Sequence, residues 1–260
     1  MVRSITHVQR FEIVATDGSV GSVSDILFDD QRWAVRYLVV DTGTWLTGRR
    51  VLISPMAVTD TDWDARTLRL SMTRERVEKS PDIDTHKPVS RQHERDFSAY
   101  YGYGFYWGGD ALWGAQPYPA ALPAQDIAAV DAARAAEQRR VEVQGDHHLR
   151  SAREVIGYHL RASDGEIGHV EDLLVDDQSW AIRYLVIDTS NWWLGQQVLA
   201  SPDWILQVSW ADRTVDVDVS REAIKSAPLY DRAGHLDEER AVAFDAHHES
   251  LTASGRSRTR

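Results

Sequence analysis

Asp29-Asp30-Gln31-Arg32-Trp33-Ala34-Val35-Arg36-Tyr37-Leu38-Val39-Val40-Asp41-Thr42 returns 147 residues later as Asp176-Asp177-Gln178-Ser179-Trp180-Ala181-Ile182-Arg183-Tyr184-Leu185-Val186-Ile187-Asp188-Thr189. Each copy opens with two aspartates and runs into β-branched and aromatic residues. That pattern predicts a turn followed by a central strand buried on both faces. The 147-residue offset holds without a gap outward from this pair. Arg3-Ser4 matches Arg150-Ser151, Asp17-Gly18 matches Asp164-Gly165, and Gly21 matches Gly168. Asp25 matches Asp172, Ser54-Pro55 matches Ser201-Pro202, Arg74 matches Arg221, and Phe97 matches Phe244. Chance does not keep such a register, so the chain of 260 residues holds a duplicated domain.

Within one copy the pattern is mostly β. Strands are predicted near Phe11–Ala15, Gly21–Phe28, Trp33–Asp41, Val51–Ile53 and Ala57–Thr61, with Leu68, Leu70 and Met72 alternating at the end. Asp17-Gly18 and Asp29–Arg32 are turns, and Pro55 ends or offsets its strand. Six short strands joined by tight turns point to a small, nearly closed barrel. A helix follows each barrel. Ser90 is placed to cap Arg91–Tyr101, which Gly102 stops, and Asp237 is placed to cap Glu238–Glu249. Between the copies lies an aromatic segment and then Gln125–Arg140, alanine-rich enough for a helix.

Composition narrows the function classes. With no cysteine, disulfides and thiolate chemistry are excluded. A net charge of −11 repels a phosphate backbone, and the only basic cluster is Arg256, Arg258 and Arg260 at the end, so nucleic-acid binding is not expected. No apolar run reaches signal-peptide or membrane-spanning length, and the expectation is a cytoplasmic protein without membrane insertion.

Asp17-Gly18, Gly21, Asp25, Asp29, Tyr37-Leu38-Val39-Val40-Asp41 and Val51-Leu52, with their partners 147 residues on, resemble the PRC-barrel family. The extension from Pro81 through Trp107 is similar to a tail of stand-alone bacterial members. The fold implied is mainly β: two small PRC-type β-barrels in tandem, each with a trailing α-helix. The divisions expected are 1–102 and 149–250 for barrel plus helix, 103–148 for the linker, and 251–260 for a flexible tail. The resemblance implies a soluble, non-enzymatic protein-interaction or assembly module. Its other members suggest alternatives: a role like the reaction-centre H subunit in photosynthetic electron transfer, or a ribosome-maturation role. A third alternative is a small-ligand or ion-binding protein using the barrel clefts.

The repeated aspartates Asp25, Asp29, Asp30, Asp41, Asp172, Asp176, Asp177 and Asp188 could hold a hard cation or do acid–base work. The preferred reading is turn capping, with a bridge to Arg36 or Arg183. His147-His148 and His247-His248 are adjacent, so their side chains diverge, and His86 and His93 are too far apart for one helical turn. No nucleophile elbow or phosphate loop occurs. Catalytic residues, cofactors and metal ligands are therefore not expected. Aromatics carry more. Trp45 in the first copy and Trp192-Trp193 in the second mark a loop, and the linker holds Tyr103, Tyr106, Trp107 and Trp113. Aromatic linkers pack on something. The preferred reading is a strap over an apolar seam between the barrels; the rival is a surface for a protein partner, with homodimerisation open.

Overall fold

The computed structural model describes residues 1–46, 48–81, 89–107, 109–120, 148–189, 196–227, 230, 236 and 238–256. Trp192, Trp193, Gln125–Arg140 and the capping role of Asp237 lie outside the described residues. The chain divides into two compact units: His7–Ser151 with Gln178–Ala181, and Met1–Thr6 with Ala152–Asp177 and Ile182–Arg260. Each unit thus takes a short piece from the other half of the sequence.

The unit built mainly from the first copy contains β2 (Glu12–Ala15), β3 (Gly18–Asp29), β4 (Ala34–Asp41), β5 (Arg50–Ile53), β6 (Val58–Asp62) and β7 (Thr67–Leu70). They lie in the order β5-β4-β3-β2-β7-β6. Only β2 and β7 pair in parallel. A seventh strand, β8 (Leu149–Ser151), pairs with the end of β3. The second unit repeats this with β9 (His159–Ala162), β10 (Gly165–Asp176), β11 (Ile182–Asp188), β12 (Gln197–Ala200), β13 (Ile205–Ser209) and β14 (Thr214–Val217). Its order is β12-β11-β10-β9-β14-β13, and its seventh strand is β1 (Val2–Ser4), paired with β10.

The central strand is as the opening stretch implies. From Ala34 to Val40, β4 is buried on both faces. The β3–β4 pairing shows a register shift between Val23 and Asp25, and the β10–β11 pairing shows the same shift between Val170 and Asp172. An extra residue at that point re-aims the side chain that follows. Ser54 and Ser201 cap one-turn 3-10 helices at Pro55–Ala57 and Pro202–Trp204, so Pro55 offsets the strand through a capped turn.

Four short helices were not apparent from sequence: α1 (Ile5–Val8), α2 (Arg74–Glu78), α4 (Ala152–Val155) and α5 (Arg221–Lys225). The trailing helices are α3 (Arg91–Tyr101), capped by Ser90 and ended by Gly102 at φ 75°, and α6 (Glu238–Arg256). Thus α6 runs past the Glu249 end read from sequence into the segment expected to be a flexible tail. Each trailing helix packs an aromatic against the central strand. Phe97 meets Tyr37 edge-on at 5.0 Å, and Phe244 meets Tyr184 at 4.7 Å.

The units fill their cores differently. Trp204, buried, replaces Ala57 and packs 6.0 Å from Phe244. In the first unit the corresponding bulk comes from Tyr101, 4.6 Å from Phe97, with Tyr103 stacked on it at 5.5 Å. Arg183 is exposed on β11 where Arg36 is fully buried on β4. The covering segment after α3 explains the difference, because no such segment follows α6 among the described residues.

Candidate functional site

Some of the repeated aspartates have local work. The Asp29 carboxylate accepts from the N–H groups of Gln31 at 2.9 Å and Arg32 at 3.3 Å, and pairs with Arg36 at 3.2 Å. Asp41 caps Gly43 N–H at 2.9 Å. Asp17 and Asp164 accept from the first N–H groups of α2 and α5. Turn capping therefore stands, and so does the bridge to Arg36. The bridge expected at Arg183 does not form to the aspartates before β11: Arg183 reaches Asp245 on α6 at 2.9 Å instead.

Asp25, Asp30, Asp172 and Asp177 hold the added strands, a role the sequence reading missed. Ser151 Oγ donates to Asp25 Oδ2 at 2.6 Å, and Arg150 Nε to Asp30 Oδ2 at 2.9 Å. Burial pushes the Asp30 carboxyl up, and Arg150 opposes that shift. In the second unit Ser4 Oγ donates to Asp172, as does Thr6 Oγ1 at 2.9 Å, while Arg3 lies 3.7 Å from Asp177.

A buried polar cluster forms where α3 and the aromatic segment cover β4. Tyr106 donates its hydroxyl proton to Glu94 Oε1 at 2.6 Å, and His148 Nε2 lies 2.8 Å from the same hydroxyl. Arg91 and His148 each approach Glu94 Oε2 at 3.3 Å. Arg36 donates to the Leu112 carbonyl at 2.7 Å and stacks 3.9 Å from the centre of the Tyr106 ring. Trp113 flanks the guanidinium at 4.8 Å and donates to the Ser179 carbonyl at 2.7 Å. Burial lowers Arg36 from its usual value, and Asp29 opposes that shift. The second copy cannot repeat this arrangement. Ala241 stands at the Glu94 position, and Tyr184 donates to Asp245, one turn further along its helix, at 2.7 Å.

Tyr103, Tyr106 and Trp113 are therefore buried within the first unit, at 7%, 4% and 4% exposure. Their rings are occupied by the unit's own packing. Trp107 is half-buried, stacked on Phe105 at 4.6 Å with Arg91 at 4.2 Å. Glu94, Arg91 and His148 are contributors that sequence reading did not assemble. The one local signal is the Arg91–Glu94 pair, three apart on a helix.

Burial pushes Tyr37 and Tyr106 well above the ordinary phenol range, and the Glu94 charge adds to it. Burial also raises Tyr101 to about 12. These folded values exceed the unfolded one, so their contribution is complete below about pH 10 and is lost as pH rises through the folded values. We expect the urea midpoint of the first unit to fall steeply above about pH 10. Tyrosinate absorbance from the buried phenols should appear together with unfolding. Ionisation of all nine tyrosines with native circular dichroism retained would contradict this.

Trp45 is the sequence-selected aromatic left in an open position. It lines a cleft of about 730 Å³ with Glu12, Ser22, Asp41, Thr44 and Arg74. The Arg74 guanidinium sits 4.3 Å from the Trp45 ring centre. Among the described residues it makes no hydrogen bond or ion pair, and its Nε is buried without a partner. A planar cation over an indole presents a preformed edge of N–H donors.

Residues 2–69 match the family model of the PRC-barrel domain. The chain carries a PRC-barrel domain. No curated protein matches the chain in sequence. The matched stretch runs from β1 into β7, and the second unit repeats the strand order of the PRC barrel element by element. Two PRC-type sheets in one chain account for the duplication. Among the described residues, no helix is long and apolar enough to cross a membrane.

Proposed function

We propose that the chain is a non-enzymatic, cytoplasmic interaction module whose PRC barrel receives a protein partner at the Trp45–Arg74 cleft. The carrying observation is the Arg74 guanidinium, unpaired among the described residues, poised over Trp45 in an open cleft. Such a group suits a partner carboxylate, which an Arg fork takes in a bidentate manner, with Trp45 as apolar contact. The other cluster of ionisable groups supports a structural role there. Glu94, Tyr106 and His148 are 1%, 4% and 2% exposed, which denies a substrate access to them.

The test compares purification from the native cell with the wild-type chain and with Trp45→Ala/Arg74→Ala as bait. Both side chains are at least partly exposed, so the double variant should keep the wild-type melting temperature. A stoichiometric partner held by the wild type and lost at least tenfold by the variant is the expected result. Equal retention by the variant would refute the cleft as the recognition site.

A further inference from the structure

The exchanged strands carry an inference that is independent of the cleft. Strand β1 lies antiparallel on β10 with Val2 opposite Asp176, Arg3 opposite Val175 and Ser4 opposite Leu174. Strand β8 lies on β3 with Leu149 opposite Asp29, Arg150 opposite Phe28 and Ser151 opposite Leu27. All six positions are related by the repeat, so the two registers are the same. The flanking backbone bonds repeat as well: Asp177 N–H to Met1 O at 2.9 Å, and Asp30 N–H to His148 O at 3.0 Å. So do the side-chain contacts. A serine reaches the aspartate after the bulge, Asp172 or Asp25, and an arginine faces the second aspartate of the following turn, Asp177 or Asp30.

Each acceptor edge therefore reads an apolar residue, an arginine and a serine in succession. Backbone bonds supply attachment, and the two carboxylates supply selection, as in strand addition to a sheet edge. Both donors carry the arginine and serine that both edges take; Thr6, which also reaches Asp172 and has Arg153 at its place in the repeat, is a contact the β8 side lacks. The arginine–serine pair does not distinguish β1 from β8, and local chemistry does not distinguish a donor in this chain from the same donor in another. Covalent tethering favours the intramolecular choice, through an effective concentration on the order of millimolar. Exchange of an identical element between copies is the low-cost route to association in such a case.

We propose that the β10 edge, formed by Asp172, Leu174, Asp176 and Asp177, is a strand-acceptor site whose intermolecular ligand is the N-terminal strand of a second copy of this chain.

The test uses the full chain lacking residues 1–6 and a fluorescein-labelled peptide of residues 1–8. We expect saturable one-to-one binding by anisotropy, weakened at least tenfold by Asp172→Asn in the chain or by Arg3→Ala/Ser4→Ala in the peptide. A peptide of residues 148–155 should compete within about tenfold of it. A folded, truncated chain that binds neither peptide, or binds a scrambled one equally, would overturn the site. If the truncated chain does not fold alone, added peptide should restore a cooperative melt; failure to do so is equally fatal. Co-refolding the full and truncated chains should yield a mixed dimer in sedimentation that Asp172→Asn abolishes. Peptide binding without any mixed dimer would overturn the second copy as ligand.

Discussion

Arg36→Ala is expected to remove about 3–5 kcal/mol from the stability of the first unit, because it leaves a buried charge without its partner. The side chain is fully buried. Its loss strands the Asp29 carboxylate, 4% exposed, and the Leu112 carbonyl that it caps at 2.7 Å. It also opens a gap beside the Tyr106 and Trp113 rings that contact the guanidinium. Arg36→Met keeps most of the volume while leaving both oxygens unsatisfied, and should fall between wild type and alanine. Arg183→Ala is the internal control. That residue comes from the same position of the repeat, but its side chain is 46% exposed and pairs with a 43% exposed Asp245. Exposed pairs contribute roughly 0–1 kcal/mol. Urea denaturation followed by tryptophan fluorescence measures all three. Equal losses for Arg36→Ala and Arg183→Ala would show that burial of the pair is not what matters.

Gly21→Ala and Gly168→Ala are expected to destabilise their units by about 3–5 kcal/mol, at the upper end of single-substitution effects. At Gly21 a Cβ would overlap the carbonyl oxygen of Asp41, and at Gly168 that of Asp188. Both obstacles are backbone of the central strand, so no rotamer change relieves them. Gly21 also stands at φ 150°, which disfavours any side chain. The contrast is Gly43, at φ 56° with open space around its missing Cβ. Gly43→Ala should cost only the left-handed backbone penalty, about 1–2 kcal/mol. Thermal unfolding of the three variants separates steric conflict from backbone preference, and similar melting temperatures for all three would refute the overlap.

Sequence reading reached the six main strands of each copy because each joins a pattern of apolar residues to a strong punctuation signal. Asp17-Gly18, Asp29–Arg32 and Pro55 mark the joints, and Ser90 and Gly102 mark both ends of α3. It did not reach β1 and β8. Three residues carry no periodicity, and their partners lie more than a hundred residues away. Duplication adds a deeper reason. When both copies carry the same arginine, serine and aspartates, those residues alone do not tell exchanged from unexchanged pairing. The Glu94 cluster was hidden for another reason. Its members come from β4, α3, the aromatic segment and the residue before β8, and most of them occur once. The linker aromatics were legible as residues that must pack, but not as to where. Trp45 was legible as an aromatic on a loop, whereas its partner Arg74 is legible only as part of the repeat.

The exchange also sets a timetable for synthesis. The first barrel lacks its seventh strand until Ser151 has been made, and β1 has no edge to join until Asp176 has been made. At ribosomal rates of roughly 5–20 residues per second, the N-terminal strand waits on the order of 10–35 s for its partner. Until Ser151 has been made, the edge of β3 in the same half is still unfilled, and it offers Val2-Arg3-Ser4 the same pair of aspartates, Asp25 and Asp30. A pairing formed there by the nascent chain would have to be displaced before the native arrangement is reached.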